Sequence, residues 1–193
     1  MTLKILSNTP LAQTLEIKQS KFIAHLVPYD KFATLLKKLK QEHPKARHFV
    51  TAFRYFNEHD QIVEGSSDDG EPKGTSGKPS LHVIQGNELI NVAVIIVRYF
   101  GGTRLGTGGL VRAYSEAVND VVEASELEPY EKLLEFSFTC KYHDLSRVEY
   151  FLAQEGVDRC HKDFGACEVS CTIEASQEQL STLKSALNRI VFF

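Results

Sequence analysis

Long apolar runs are scarce in this 193-residue chain. The longest, Val92 to Val97, is six residues, against the ~20 that a helix needs to cross a bilayer. Nothing after Met1-Thr2-Leu3-Lys4-Ile5 resembles the apolar stretch of a secretory leader, so the expectation is a cytoplasmic protein with no membrane partner. Cysteine is missing from the first two thirds. Cys140, Cys160, Cys167 and Cys171 all come late, and in a reducing compartment they stay as thiols. Their spacing, Cys-His-x5-Cys-x3-Cys, has no paired Cys-x2-Cys knuckle, so burial as small hydrophobes is expected and no metal site is read from them. A basic excess is also missing. The formal net charge is −3; residues 1–128 carry 15 Lys and Arg against 15 Asp and Glu, and residues 129–193 carry 7 against 10. The second part is therefore a poor match for a phosphate backbone, and any nucleic-acid site should be N-terminal and local. Neither a Gly-x-Ser-x-Gly elbow nor a His-Glu-x-x-His helix occurs, which leaves the common hydrolase chemistries without a local signature.

What is present is ordinary globular material, 42% hydrophobic and 24% charged, enough to exclude a largely disordered chain. The length fits one medium domain, residues 1–128, and one small one, residues 129–193. No cofactor is demanded for stability.

Loose alternation from Leu11 to Val27, interrupted by Lys18-Gln19-Ser20-Lys21, predicts two strands and a polar turn. Asp30 is placed to cap a helix through about Gln41, with Phe32, Leu35, Leu36 and Leu39 on one stripe. A strand over 49–57 follows, then a long loop over 64–79. Residues Asn91 to Tyr99 are β-branched and nearly all apolar, which predicts a central strand covered on both sides. It runs into the glycine-rich 100–109 segment and a helix that Thr107 is placed to cap. After an acidic linker around Glu126 to Glu131, the order strand, helix, strand, strand, helix predicts a small ferredoxin-like βαββα module. Its last helix opens on the box Ser176-x-x-Gln179.

Three constellations are able to carry chemistry. The first is the glycine loop. Gly101, Gly102, Gly106, Gly108 and Gly109 let the backbone approach a ligand and aim amides at it from a helix start, with an anion as the natural guest. Arg98, Arg104 and Arg112 flank it with planar cationic forks. A Walker loop needs Gly-Lys-Ser/Thr where this loop has Gly-Thr-Gly, and a dinucleotide fingerprint needs glycine where Val111 stands. The other reading is tight turns with the arginines paired to nearby acids. The second is the acidic loop with Asp68, Asp69, Glu71 and Lys73: three carboxylates able to hold a hard cation or move a proton, or else a solvated loop of Asx turns. The third is Arg47-His48 ahead of a strand, where the imidazole is either structural or brought to the same surface.

These segments together resemble a known family. Ser20-Lys21-Phe22-Ile23-Ala24, Ala46-Arg47-His48, Asp68-Asp69-Gly70-Glu71-Pro72-x-Gly74-Thr75-Ser76-Gly77-x-Pro79 and Val97-Arg98-Tyr99-Phe100-Gly101-Gly102-Thr103 through Ala113-Tyr114 are similar to the signature of the YigZ/IMPACT family. The resemblance implies an α+β protein. Its first domain would be two-layered, like the second domain of a small-subunit ribosomal protein and domain IV of elongation factor G. Its second would be like the fifth domain of that factor. Eukaryotic members regulate translation initiation by binding an activator of a starvation-responsive kinase, through a construction with an extra N-terminal domain, and that role is not carried over. What the resemblance implies for the bacterial type is association with RNA or the ribosome, and with translation-related proteins. The alternative is an enzyme acting on a phosphorylated small molecule, with Asp68, Asp69 or Glu71 as base or metal ligand and Lys73 on the phosphate. A protein-binding adaptor using the 64–79 loop is a third. Oligomeric state is left open by the sequence.

Overall fold

The computed structural model describes residues 2–7, 11–188 and 190–192. The chain forms two compact units, one ending at Tyr130 and the other starting at Glu131.

In the first unit the elements run β1 (Lys4–Leu6), β2 (Leu11–Ile17), β3 (Ser20–Pro28), α1 (Phe32–Glu42), β4 (His48–Phe56), β5 (Ile62–Ser67), α2 (Gly77–Gly86), β6 (Val92–Tyr99), α3 (Gly106–Glu123) and β7 (Leu127–Pro129). β1 and β7 pair as a short antiparallel ribbon. The other five strands make one antiparallel sheet in the order β2-β3-β6-β4-β5. β6 is central because it is apolar on both faces, and every residue from Val92 to Val97 is fully buried. Val92, Val94 and Ile96 pack with Ile84 of α2 and with Leu110, Ala113, Tyr114 and Val118 of α3. Ile95 and Val97 point the other way, onto Leu39, Leu35, Leu36 and Phe32 of α1. Each such burial stabilises by about 1.5–3 kcal/mol.

The expected two layers of this unit are therefore three, since α1 covers the face that α2 and α3 leave bare. Because β6 is a continuous apolar run whose successive side chains point to opposite faces, it requires cover on both sides. The β2–β3 turn has only two residues, Lys18 and Gln19, both at positive φ (46° and 65°), the backbone of a tight hairpin turn. Asp30 does not cap α1. A short 3₁₀ turn at Tyr29–Lys31 precedes the helix, whose start has no side-chain cap. The long 64–79 loop shrinks to residues 68–76, because β5 occupies its beginning and α2 its end.

The second unit runs β8 (Leu134–Lys141), α4 (Leu145–Gln154), β9 (Cys160–Phe164), β10 (Glu168–Ala175), α5 (Gln177–Leu187) and β11 (Val191–Phe192). Its antiparallel sheet has the order β11-β8-β10-β9. Phe138, Cys140, Val169, Cys171 and Ile173 meet Val148 and Leu152 of α4 and Leu180, Leu183 and Leu187 of α5. The expected βαββα order gains a final strand, which completes the split βαβ pattern; two residues are too few to show an alternation in sequence. The box at Ser176 forms as read: Gln179 N–H donates to Ser176 Oγ at 3.3 Å, and Ser176 N–H donates to Gln179 Oε1 at 2.8 Å. Cys140 and Cys171 are buried core residues, Cys160 is half-buried and Cys167 is exposed. Burial and the neighbouring Cys160 and Cys140 push the Cys171 thiol up to about 12. Among the described residues no helix is long and apolar enough to cross a membrane, and no group of His, Cys, Asp and Glu is placed to hold a metal ion.

Candidate functional site

Register brings the three constellations to one end of the first unit's sheet. His48, the first residue of β4, pairs with Arg98 near the close of β6, and Arg47 N–H donates to the Arg98 carbonyl at 3.2 Å. Thr51 pairs with Ser67, the last residue of β5, which launches the acidic loop at the same end. The hairpin tip arrives there too. Gly101 N–H donates to Ser20 Oγ at 3.1 Å, and a Cβ on Gly101 would sit 2.0 Å from the Gln19 carbonyl carbon. Glycine stands at 101 because the backbone of the β2–β3 turn leaves no room for a side chain.

The three carboxylates of the acidic loop have three different occupations. Asp68 closes the loop onto the start of α2, accepting from Gly74 N–H at 2.7 Å, Ser76 Oγ at 2.7 Å, Gly77 N–H at 2.8 Å and Ser76 N–H at 3.1 Å. Burial alone would raise its pKa, but these four donors hold the carboxyl below the usual carboxylate range. Asp69 accepts from Phe49 N–H at 2.7 Å, and its carbonyl accepts from His48 Nδ1 at 2.8 Å. Glu71 turns into the protein, its side chain 4% exposed, and accepts from Arg98 Nη1 and, at 2.8 Å, from the Tyr114 hydroxyl. His48 Nε2 lies 3.9 Å from Glu71 Oε1, beyond hydrogen-bond reach.

Arg98 is thus not an exposed fork beside the glycine loop. Its side chain is 6% exposed, its guanidinium stands 5.2 Å from the Phe22 ring centroid and 5.8 Å from that of Phe100, and Glu71 is its counter-charge. Its Nε has no hydrogen-bond partner among the described residues. Tyr114 completes the group from α3. Burial, and secondly the charge of Glu71, raise its hydroxyl pKa well above the tyrosine range. The sequence signal for Tyr114 is a hydroxyl one turn after Leu110, where the neighbouring buried positions Ala113, Ala117 and Val118 are aliphatic.

The glycine loop leads into α3 at Gly106, whose φ is 74°. Thr107 lies inside the first turn and does not cap it. The cap position is Leu105, which offers no side-chain acceptor. The two helix starts at this end of the sheet therefore differ. Asp68 fills that of α2, whereas among the described residues nothing accepts from Gly106, Thr107 or Gly108 N–H. A cleft of about 320 Å³ opens in front of α3, lined by Glu71, Pro72, Arg98, Arg104, Leu105, Gly106, Thr107 and Leu110. The 68–76 and 101–109 loops share this cleft. Arg104 is at its exposed rim, with Gly102 and Gly108 exposed nearby and Gly109 half-buried. Arg112 is exposed on the second turn of α3 and Lys73 on the acidic loop; neither lines the cleft. Free amides, a positive helix end and Arg104 suit an anion.

Comparison with known proteins finds relatives of the chain. The family model described as the Impact N-terminal domain matches residues 18–122. A Haemophilus influenzae protein named "IMPACT family member" is 36% identical over 175 residues, which is 89% of this chain and 84% of the relative. The Escherichia coli "IMPACT family member YigZ" is 38% identical over 148 residues, 75% of this chain and 72% of its own. A crystal structure described as that of a hypothetical protein superposes with a TM-score of 0.70 at 32% identity, covering 97% of this chain and 92% of the other.

Proposed function

The chain belongs to the IMPACT family, and on that premise we propose that it is a translation-associated regulatory protein that binds RNA or the ribosome through its first unit. The observation that carries this reading is the open start of α3. An 18-residue helix presents uncapped amides to a cleft with Arg104 at the rim, and a phosphate is the group such a start accommodates. The likeness of the two units to the second domain of a small-subunit ribosomal protein and to the fifth domain of elongation factor G belongs to the same proposal.

The geometry gives less support to an enzyme acting on a phosphorylated small molecule. Such a mechanism needs a carboxylate free to take a proton or hold a cation. Asp68, Asp69 and Glu71 each accept internal hydrogen bonds, and Glu71 is paired with Arg98.

The test is sedimentation of the tagged protein through a sucrose gradient of cell lysate at low and moderate salt. Co-migration with ribosomal particles that weakens with salt, and is lost in the Arg104→Ala, Arg112→Glu variant, is the expected result. Migration with free protein alone at low salt would refute it.

A further inference from the structure

The neutral charge count of the first unit conceals a polarity along its strands. At the end where β6 begins lie Glu58 and Asp60 of the β4–β5 turn, Glu88 ahead of β6, and Glu123, Glu126 and Glu128 at and beyond the close of α3, against the cations Lys4, Lys31 and Arg54. At the end where β6 finishes lie Lys18 in the hairpin turn, Lys45 and Arg47 ahead of β4, Lys73 in the acidic loop and Arg104 ahead of α3. All five of these cations are exposed, and among the described residues none has a carboxylate within 4.0 Å.

Of the carboxylates at this second end, Glu71 is buried and Asp68 half-buried, while Asp69 and Glu42 are exposed, Glu42 lying 3.6 Å from Lys38. Asp68 holds the start of α2, Asp69 the Phe49 N–H, and Glu71 holds Arg98 and Tyr114. Glu16 stays at the surface, where the register sets it opposite Lys21. Phe100 emerges among the cations. It directly follows β6 and is 42% exposed, a large aromatic ring left in water beside an arginine. Cations spaced across the ends of adjacent strands, with an exposed aromatic between them, form the arrangement that holds a single-stranded nucleic acid: phosphates on the cations and a base stacked on the ring.

We propose that this end of the first unit is a docking groove for single-stranded RNA, with phosphates on Lys18, Lys45, Arg47 and Arg104 and a base stacked on Phe100. The choice of RNA rests on the translation reading above; the groove itself rests on the charge sorting and the ring. It extends well past the α3 cleft, onto the hairpin tip and the 45–47 turn.

The test is fluorescence anisotropy of the full chain with a labelled oligouridine over a range of salt. Four phosphate contacts give a slope of log Kd against log salt of about 3. Lys45→Gln with Arg47→Gln should weaken binding and lower the slope by about 1.4. Phe100→Ala should weaken binding about tenfold with the slope unchanged. Lys4→Gln with Lys31→Gln, the same charge change away from the groove, should alter neither. Absence of binding at low salt, tighter binding to duplex RNA, or equal losses in the two double variants would overturn the groove. Oligouridine binding without co-migration on the gradient would leave the groove standing and remove the translation reading. Co-migration without oligouridine binding would do the reverse and make an acidic protein surface the docking partner.

Discussion

Neutralising Glu71 is the sharpest test of how the cleft is built. Glu71→Gln conserves the side chain's volume and leaves an oxygen to accept from Tyr114, so the change removes one charge. Arg98 then remains with its guanidinium 6% exposed, between the rings of Phe22 and Phe100, with no counter-ion. Leaving one partner of a buried ion pair alone costs about 3–5 kcal/mol. Arg98→Met strands the opposite charge and should cost about as much. The double variant carries neither charge, so it should be less destabilised than the sum of the singles by about 1–3 kcal/mol. Urea unfolding followed on the methyl resonances of Val94 and Ile96 reports the first unit without mixing in the second, whose unfolding need not be coupled to it. The same Glu71→Gln variant should lower the pKa of the Tyr114 hydroxyl, because the charge of Glu71 is the second cause of its elevation after burial. A Glu71→Gln chain within about 0.5 kcal/mol of the parent, or a double variant equal to the sum of the singles, would refute the buried pair.

Two further outcomes follow from the first unit. The Nε2 of His25 is buried with no hydrogen-bond partner among the described residues, and burial, then the neighbouring His43, lowers its pKa. The unfolded chain takes up that proton more readily than the folded one, so stability should fall as pH drops below about 6.5 toward the lowered folded value; His25→Leu should flatten this part of a urea-midpoint profile against pH. Gly101→Ala drives a Cβ to 2.0 Å from the Gln19 carbonyl carbon and should lower the thermal midpoint by the equivalent of about 1–3 kcal/mol, whereas Gly108→Ala, with nothing within 4 Å, should raise it by the equivalent of about 0.5–1 kcal/mol.

The sequence is legible where one pattern decides the outcome. β6 is read from six consecutive apolar residues, and that pattern already demands cover on both faces, so α1 on the second face follows from it even though two layers were expected. α2 escapes notice because Gly77, Lys78, Pro79 and Ser80 look like loop; yet Pro79 sits in the first turn, where a missing N–H costs nothing. β5, with Gly65, Ser66 and Ser67 at its end, has too little β-branched character to stand out from the loop after it. The candidate site was legible as a set of segments but not as a set of roles. In sequence Asp68, Asp69 and Glu71 are three alike carboxylates. Only the paths of β4, α2 and α3 make one a helix cap, one a strand clamp and one the partner of a buried arginine.

Charge shows the same gap between count and placement. Equal numbers of cations and carboxylates in residues 1–128 argue against a phosphate-binding surface only if the charges are mixed, because attraction for a polyanion depends on the local field within about a Debye length, ~8 Å at physiological salt, and not on the domain total. Antiparallel pairing reduces the mixing. It folds Lys18, Lys45 and Arg47, which are scattered along the chain, onto the end where β6 finishes, and carries Glu58, Asp60 and Glu88 to the other. Glu71, buried with Arg98 as its counter-charge, is then withdrawn from those cations, and Asp68 is half-buried against the start of α2. The hydrogen-bonded loop that shapes the cleft thus also keeps the Glu71 charge out of the surface field, so breaking the loop at Asp68 should disturb both together.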